Sequence, residues 1–136
     1  MAAYLDTIVA AHRRAAAGDR RDPEALLEAA RAQPAPRAFA EELRRTAEGD
    51  GIAVIAEIKR RSPSKGDLDP ELDPAALAKE YEAGGAAGLS VLTDAEFFGG
   101  GPDDLQAARE ACALPVLRKD FTVSANDVAD ARGMGA

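Results

Sequence analysis

Three times after Gly51 the sequence places a short apolar run before a longer segment of helical spacing. The runs are "IAVIAEI", "AGLSVLT" and "LPVLRKDF". The segments that follow them are "DPAALAKEYEAGG", "GPDDLQAAREA" and "SANDVADARGMG". Strands separated by helices pair in parallel, because each helix carries the chain back across a sheet face through a right-handed crossover. The fold class is therefore α/β. The near-continuous apolar character of the first two runs predicts strands buried on both faces. Asp73 before Pro74 reads as an N-cap with proline in the first turn, Gly84-Gly85 as a stop, and Ser124 as a further cap. Three parallel strands leave a sheet with two open edges. The expectation is thus an incomplete sheet, in a chain that stops at "GMGA" where a fourth strand would begin.

The preceding third has a different rhythm. Leu5, Ile8 and Val9 fall at helical spacing within residues 4–17, and Gly18-Asp19 ends that segment. Asp22-Pro23 opens a second helix through "EALLEAARA". "QPAPRAF" reads as a linker, residues 37–47 as a short helix and "EGDG" as the turn that closes it. The organisation expected is a helical extension over residues 1–50, alanine-rich and without evident chemistry, then an α/β domain over 51–136. His12 reads as a solvated helix residue.

Composition bounds the function. With 46% hydrophobic and 30% charged residues among 136, the chain is globular rather than disordered. A net charge of -7 and 4% aromatics argue against nucleic-acid binding, which rests on basic surface and stacking platforms. No apolar run approaches the roughly 20 residues that span a bilayer. The N-terminus, with Asp6 early and His12, Arg13 and Arg14 late, reverses a secretory signal, so a cytoplasmic location is the simplest reading. Cys112 is the only cysteine and reads as a small buried side chain. One histidine and one cysteine are too few and too far apart for a metal cluster. There is no GxGxxG and no Walker loop, so a nucleotide cofactor is unsupported.

The chemistry-bearing residues lie at strand ends. Side chains two apart on a strand share a face, so Ala53, Ile55, Glu57 and Lys59 point one way. Leu117, Lys119 and Phe121 repeat the arrangement on the third strand. Both charged sets stand at the C-terminal ends, the rim that carries active sites in parallel α/β sheets and barrels. A lysine held beside a carboxylate can donate a proton or stabilise developing negative charge. The plainer alternative is a solvated ion pair at a strand end, with Lys59, Arg60 and Arg61 forming a basic loop. "SPSKG" offers hydroxyl and backbone donors to a carboxylate or phosphate. In "DAEFFGGGPDD" one of Phe97 and Phe98 is expected over the core, and the other could cap a flat aromatic ligand.

Taken together, "IAEIKRRSPSKG", "GLSVLTDAEFFGG" and "LPVLRKDF" resemble the indole-3-glycerol phosphate synthase family in order and spacing over essentially the whole chain. The resemblance implies a (β/α)8 TIM barrel, of which three strand-helix units are present, with the N-terminal helices as an extension. It implies ring closure of 1-(2-carboxyphenylamino)-1-deoxyribulose 5-phosphate with loss of carbon dioxide and water, in tryptophan biosynthesis, without cofactor or metal. Carried over by motif, Lys119 would be the general acid and Glu57 the carboxylate that positions and polarises the catalytic groups. Lys59 would neutralise anionic parts of the substrate, and Ser62 would hydrogen-bond its carboxylate. Phe98 and Phe121 would pack against the anthranilate ring. The family's further catalytic glutamates and asparagine, and its main phosphate site, lie on later strands. The resemblance therefore implies that the fragment alone is inactive and that its partner is a small phosphorylated substrate; the alternative is a non-catalytic half-barrel that needs a complementing C-terminal half-barrel. Phosphoribosylanthranilate isomerase, another barrel enzyme, fits the "EIK", "SPSKG" and "RKDF" blocks poorly. Asn126-Asp127 departs from the tyrosine-glutamine common after the phenylalanine, a change expected at a helix start with little effect on chemistry.

Overall fold

A computed structural model describes residues 2–136. Helix α1 spans Ala2–Gly18, α2 spans Pro23–Arg31 and α3 spans Phe39–Asp50. Asp22 caps α2 by accepting from Glu24 N–H at 3.0 Å, with Pro23 where its missing N–H costs nothing. The turn expected at "EGDG" is instead the last turn of α3. The helix continues through Gly49 and Asp50 because its left-handed terminus falls at Gly51, with φ 81° and its N–H bonded to Ala47 O.

The chain then enters β1 (Ile55–Ile58), a small antiparallel hairpin of β2 (Arg61–Ser62) and β3 (Gly66–Asp67), and helix α4 (Pro74–Ala83). Next come β4 (Gly88–Leu92), the short helix α5 (Ala95–Phe98) and α6 (Pro102–Ala111). Strand β5 (Val116–Lys119) and helix α7 (Ala125–Gly133) complete the order. The principal sheet is parallel throughout, in the order β1-β4-β5. This is the mixed α/β architecture that the alternating pattern predicts.

Leu89 and Val91 in the central strand face the helices and join Ile58, Val116, Ala78, Leu105 and Ala108 in one core. Leu89, Val91 and Leu105 are completely buried, each such side chain contributing about 1.5–3 kcal/mol relative to exposure. Cys112 lies buried at the edge of this core, as expected.

Burial on both faces holds for β4, which is covered at every residue, and fails for the first run. Only Ile58 of β1 is buried, while Ile52, Val54 and Ile55 are exposed, Ile52 at 71%. The reason is position: β4 has a strand on each side, whereas β1 and β5 are edges. The inner face of the sheet is covered only in part, with Phe39 of α3 lying against Gly88. There Ile55, beside Gly88, and Leu117, beside Ser90, stand 45% and 44% exposed.

The extension is bound to the sheet by charge. Arg37 Nη1 donates to Arg109 O, Cys112 O and Leu114 O at 3.0, 2.8 and 2.8 Å, tying the linker to the turn before β5. Arg21 bridges Asp19 and Asp130 of α7. Its guanidinium holds the Asp19 carboxyl well below the usual carboxylate range, assisted by Asn126, which donates to Asp19 at 2.9 Å.

Candidate active site

The register of the sheet decides which side chains share a level. Glu57 pairs with Ser90, and Ser90 with Leu117, while Leu92 pairs with Lys119. Continuing β1 by one residue brings Lys59 level with Leu92 and Lys119. Lys59 and Lys119 thus stand in one row at the C-terminal edge, two strand spacings or about 10 Å apart. Lys59 Nζ lies 2.9 Å from Glu57 Oε1, with both side chains about one-third exposed. The pair expected from alternation forms. Lys119 is exposed, and its ammonium has no hydrogen-bond or ion-pair partner among the described residues.

Above this edge the "SPSKG" stretch is a tight hairpin rather than an open loop, with Ser62 opposite Gly66. Ser62 Oγ accepts from Lys65 N–H at 3.3 Å, which leaves its own proton free to donate. The hairpin is braced on one side by Arg60, which donates to both oxygens of Asp104 and to Pro70 O and Leu72 O. The hydrogen bonds that Arg60 donates to the Asp104 carboxylate raise its pKa above the ordinary value. On the other side Arg61 Nη2 donates to Ala95 O, at 3.2 Å, and to Glu96 O. The hairpin therefore holds α5 by its carbonyls.

Helix α5, unannounced in the sequence as an element, carries Phe97 and Phe98, both half-buried. Asp94 is its N-cap: Oδ1 accepts from Phe97 N–H at 2.6 Å and from Phe98 N–H at 3.3 Å. The glycines that follow let the chain turn back at once. A side chain on Gly100 would meet Leu92 O at 2.1 Å, so only glycine fits against the end of β4.

Phe121 lies two residues past the end of β5, where strand alternation no longer sets its direction. Its ring centroid is 5.2 Å from that of His12, with the planes tilted by 36°. His12 is thus not the solvated helix residue expected. Its Nε2 lies 2.7 Å from Asp94 Oδ2 and 3.7 Å from Asp120 Oδ1. The physical reason is tertiary: α1 crosses the ends of β4 and β5, where two buried carboxylates need partners. Asp120 is otherwise satisfied by Thr93 Oγ1 at 2.7 Å and Arg118 Nη2 at 3.0 Å through Oδ2, and by Phe121 N–H at 2.8 Å through Oδ1. Neither the helical spacing of α1 nor the motifs signal this role.

His12, Asp94 and Asp120 also bring one ligand atom each within 4.8 Å of one another, a grouping with carboxylates that counting one histidine and one cysteine does not reveal. The 2.7 Å contact is a direct hydrogen bond, and Asp94 Oδ1 is committed to two amides, so the geometry is that of a closed polar network. Beyond it, Ser124 and Asp127 form a capping box on α7. Burial would raise the Asp127 pKa, but donors from Val123 N–H, Ser124 Oγ and Ser124 N–H, with Arg118 nearby, hold it below its ordinary value.

The arrangement combines an acid-base pair, a second unpaired ammonium, a hydroxyl and two aromatic side chains around the C-terminal edge of a parallel sheet. The profile of the indole-3-glycerol phosphate synthase family matches residues 5–136. The chain belongs to the indole-3-glycerol phosphate synthase family. A protein of that name from Dechloromonas aromatica is 54% identical over 138 residues, covering 100% of this chain and 53% of the relative. The indole-3-glycerol phosphate synthase of Aromatoleum aromaticum is 51% identical over 138 residues, with 100% and 53% covered. Indole-3-glycerol phosphate synthase 2 of Streptomyces coelicolor is 53% identical over 111 residues, covering 82% of this chain and 42% of the relative. The chain spans about half the length of the curated relatives it matches. Among the described residues, no helix is long and apolar enough to cross a membrane.

Proposed function

We propose that this chain supplies the first three strand-helix units of a (β/α)8 barrel, residues 51–136, with residues 1–50 as its helical extension. Completed by further strands, the barrel acts in the cytoplasm as an indole-3-glycerol phosphate synthase. Its substrate is 1-(2-carboxyphenylamino)-1-deoxyribulose 5-phosphate. The reaction joins the ring carbon that bears the carboxylate to the ketone carbon of the sugar, then releases carbon dioxide and water. Lys119 is the general acid that protonates the ketone oxygen as the new bond forms. Glu57 fixes Lys59 and polarises the catalytic groups, and Lys59 offsets substrate negative charge. Ser62 donates to the substrate carboxylate, while Phe98 and Phe121 flank the anthranilate ring.

The observation that carries this reading is the 2.9 Å Glu57–Lys59 pair in the same sheet edge as the unpaired Lys119. An exposed lysine without a carboxylate is available to a substrate, whereas a paired one is held in place. A second reading treats the chain as a non-catalytic half-barrel that needs a complementing chain. The exposure of Ile55 and Leu117 on the sheet's inner face favours it, since apolar side chains there call for a covering layer.

The test joins this chain to the C-terminal half of the Dechloromonas relative and follows indole-3-glycerol phosphate formation. Turnover in the joined protein, with none in the 136-residue chain, is expected. Turnover by the chain alone at the rate of the joined protein overturns the half-site reading. Turnover that is undiminished in Lys119→Ala overturns the assignment of the general acid.

A further inference from the structure

We infer that His12 is a positioning residue, which sets the two aromatic side chains proposed to flank the substrate ring. The inference rests on the reading of Phe98 and Phe121 given above. One imidazole touches both aromatic-bearing segments. Its Nε2 donates to Asp94 Oδ2 at 2.7 Å, and the other oxygen of that carboxylate accepts the amides of Phe97 and Phe98. Its ring packs on Phe121 at 5.2 Å.

The burial makes this linkage stiff. The Asp94 side chain is only 3% exposed, so its Oδ2 has no solvent to replace a lost donor. Removing the imidazole leaves a buried carboxylate oxygen unpaired, and the carboxylate must rotate or draw in water. Either movement loosens the two amides bonded to Oδ1, and with them α5. Arg61 holds α5 through the carbonyls of Ala95 and Glu96, whereas the amides of Phe97 and Phe98 depend on Asp94 alone among the side chains described. Phe121 loses its packing partner in the same step. A helix of the extension thereby governs ring orientation without contacting the reacting atoms.

The experiment uses the 136-residue chain and two variants, His12→Ala and His12→Gln. Glutamine keeps an N–H donor near the Nε2 position and lacks the aromatic ring. Amide hydrogen exchange is read at Phe97 and Phe98, with Leu89 and Val91 of the core as controls, and anthranilate is the binding probe. In His12→Ala, exchange at Phe97 and Phe98 is expected to accelerate about tenfold or more while the controls stay unchanged, and anthranilate affinity to fall about fivefold. His12→Gln is expected to restore the exchange rates to within about twofold. Equal exchange at Phe97 and Phe98 in wild type and His12→Ala overturns the inference, as does acceleration that extends equally to Leu89 and Val91. If exchange responds but the wild-type chain binds no anthranilate, the ring-binding reading falls and the His12 linkage stands.

Discussion

Lys59 and Glu57 lie on one face of the sheet, two residues apart, with 2.9 Å between ammonium and carboxylate. The contact holds a flexible four-carbon side chain at the edge where Lys119 also stands. Each group is about one-third exposed, so the pair contributes little to stability and its worth lies in placement. In the joined barrel, Glu57→Gln is expected to lower kcat about 100-fold with a smaller change in KM. Steady-state kinetics on the joined protein decide it, and an unchanged kcat removes Glu57 from the chemistry.

Gly100 makes a different demand. Its α-carbon packs against Leu92 O so closely that any side chain collides with backbone. Gly100→Ala is expected to displace the return from α5 and destabilise the chain by about 1–3 kcal/mol. Urea denaturation measures this. A midpoint equal to wild type would mean that the turn has room to shift.

Arg37 links the extension to the sheet through three carbonyls that no other described side chain satisfies. Arg37→Ala should cost about 1–3 kcal/mol, because charge-assisted bonds are lost and the carbonyls lose their donor. Lysine, a point donor without the planar fork, should recover only part of that. Equal midpoints for the Ala and Lys variants would show that packing, not hydrogen bonding, carries the contact.

The capping box on α7 predicts a pH dependence. The folded-state pKa of Asp127 lies below its ordinary value of 3.8. Its contribution is therefore fully present above that value, and is lost as the pH falls through the lower folded-state value. Asp127→Asn should reduce stability at pH 7 by about 1 kcal/mol and flatten the stability change below pH 4. Denaturation midpoints at pH 7 and pH 3 test this, and an unaltered acid response in the variant excludes Asp127 as its source.

Much of the fold was legible because local rules decide it. Capping residues mark α2, α4 and α7, helical spacing marks α6, and apolar runs mark the three parallel strands. The Glu57–Lys59 pair follows from alternation alone, since two residues apart on a strand is a geometric statement. Burial was less legible, because an apolar run does not reveal how many neighbours its strand will have. "IAVIAEI" and "AGLSVLT" look alike, yet Leu89 is wholly buried and Ile55 is 45% exposed. The Asn126-Asp127 pair proved structural: Asn126 bonds Asp19 and Asp127 closes the cap on α7.

His12 marks the boundary between the two kinds of information. The sequence by itself determined the α/β class, the helix caps, the charged strand ends and the motif blocks that match the family. Each depends on residues a few positions apart. The tertiary structure alone decided that a histidine 82 residues before Asp94 would complete its hydrogen bonding and pack on Phe121. Such a contact depends on where α1 crosses the strand ends. That crossing is set by burial and charge pairing across the whole chain, which no local pattern encodes.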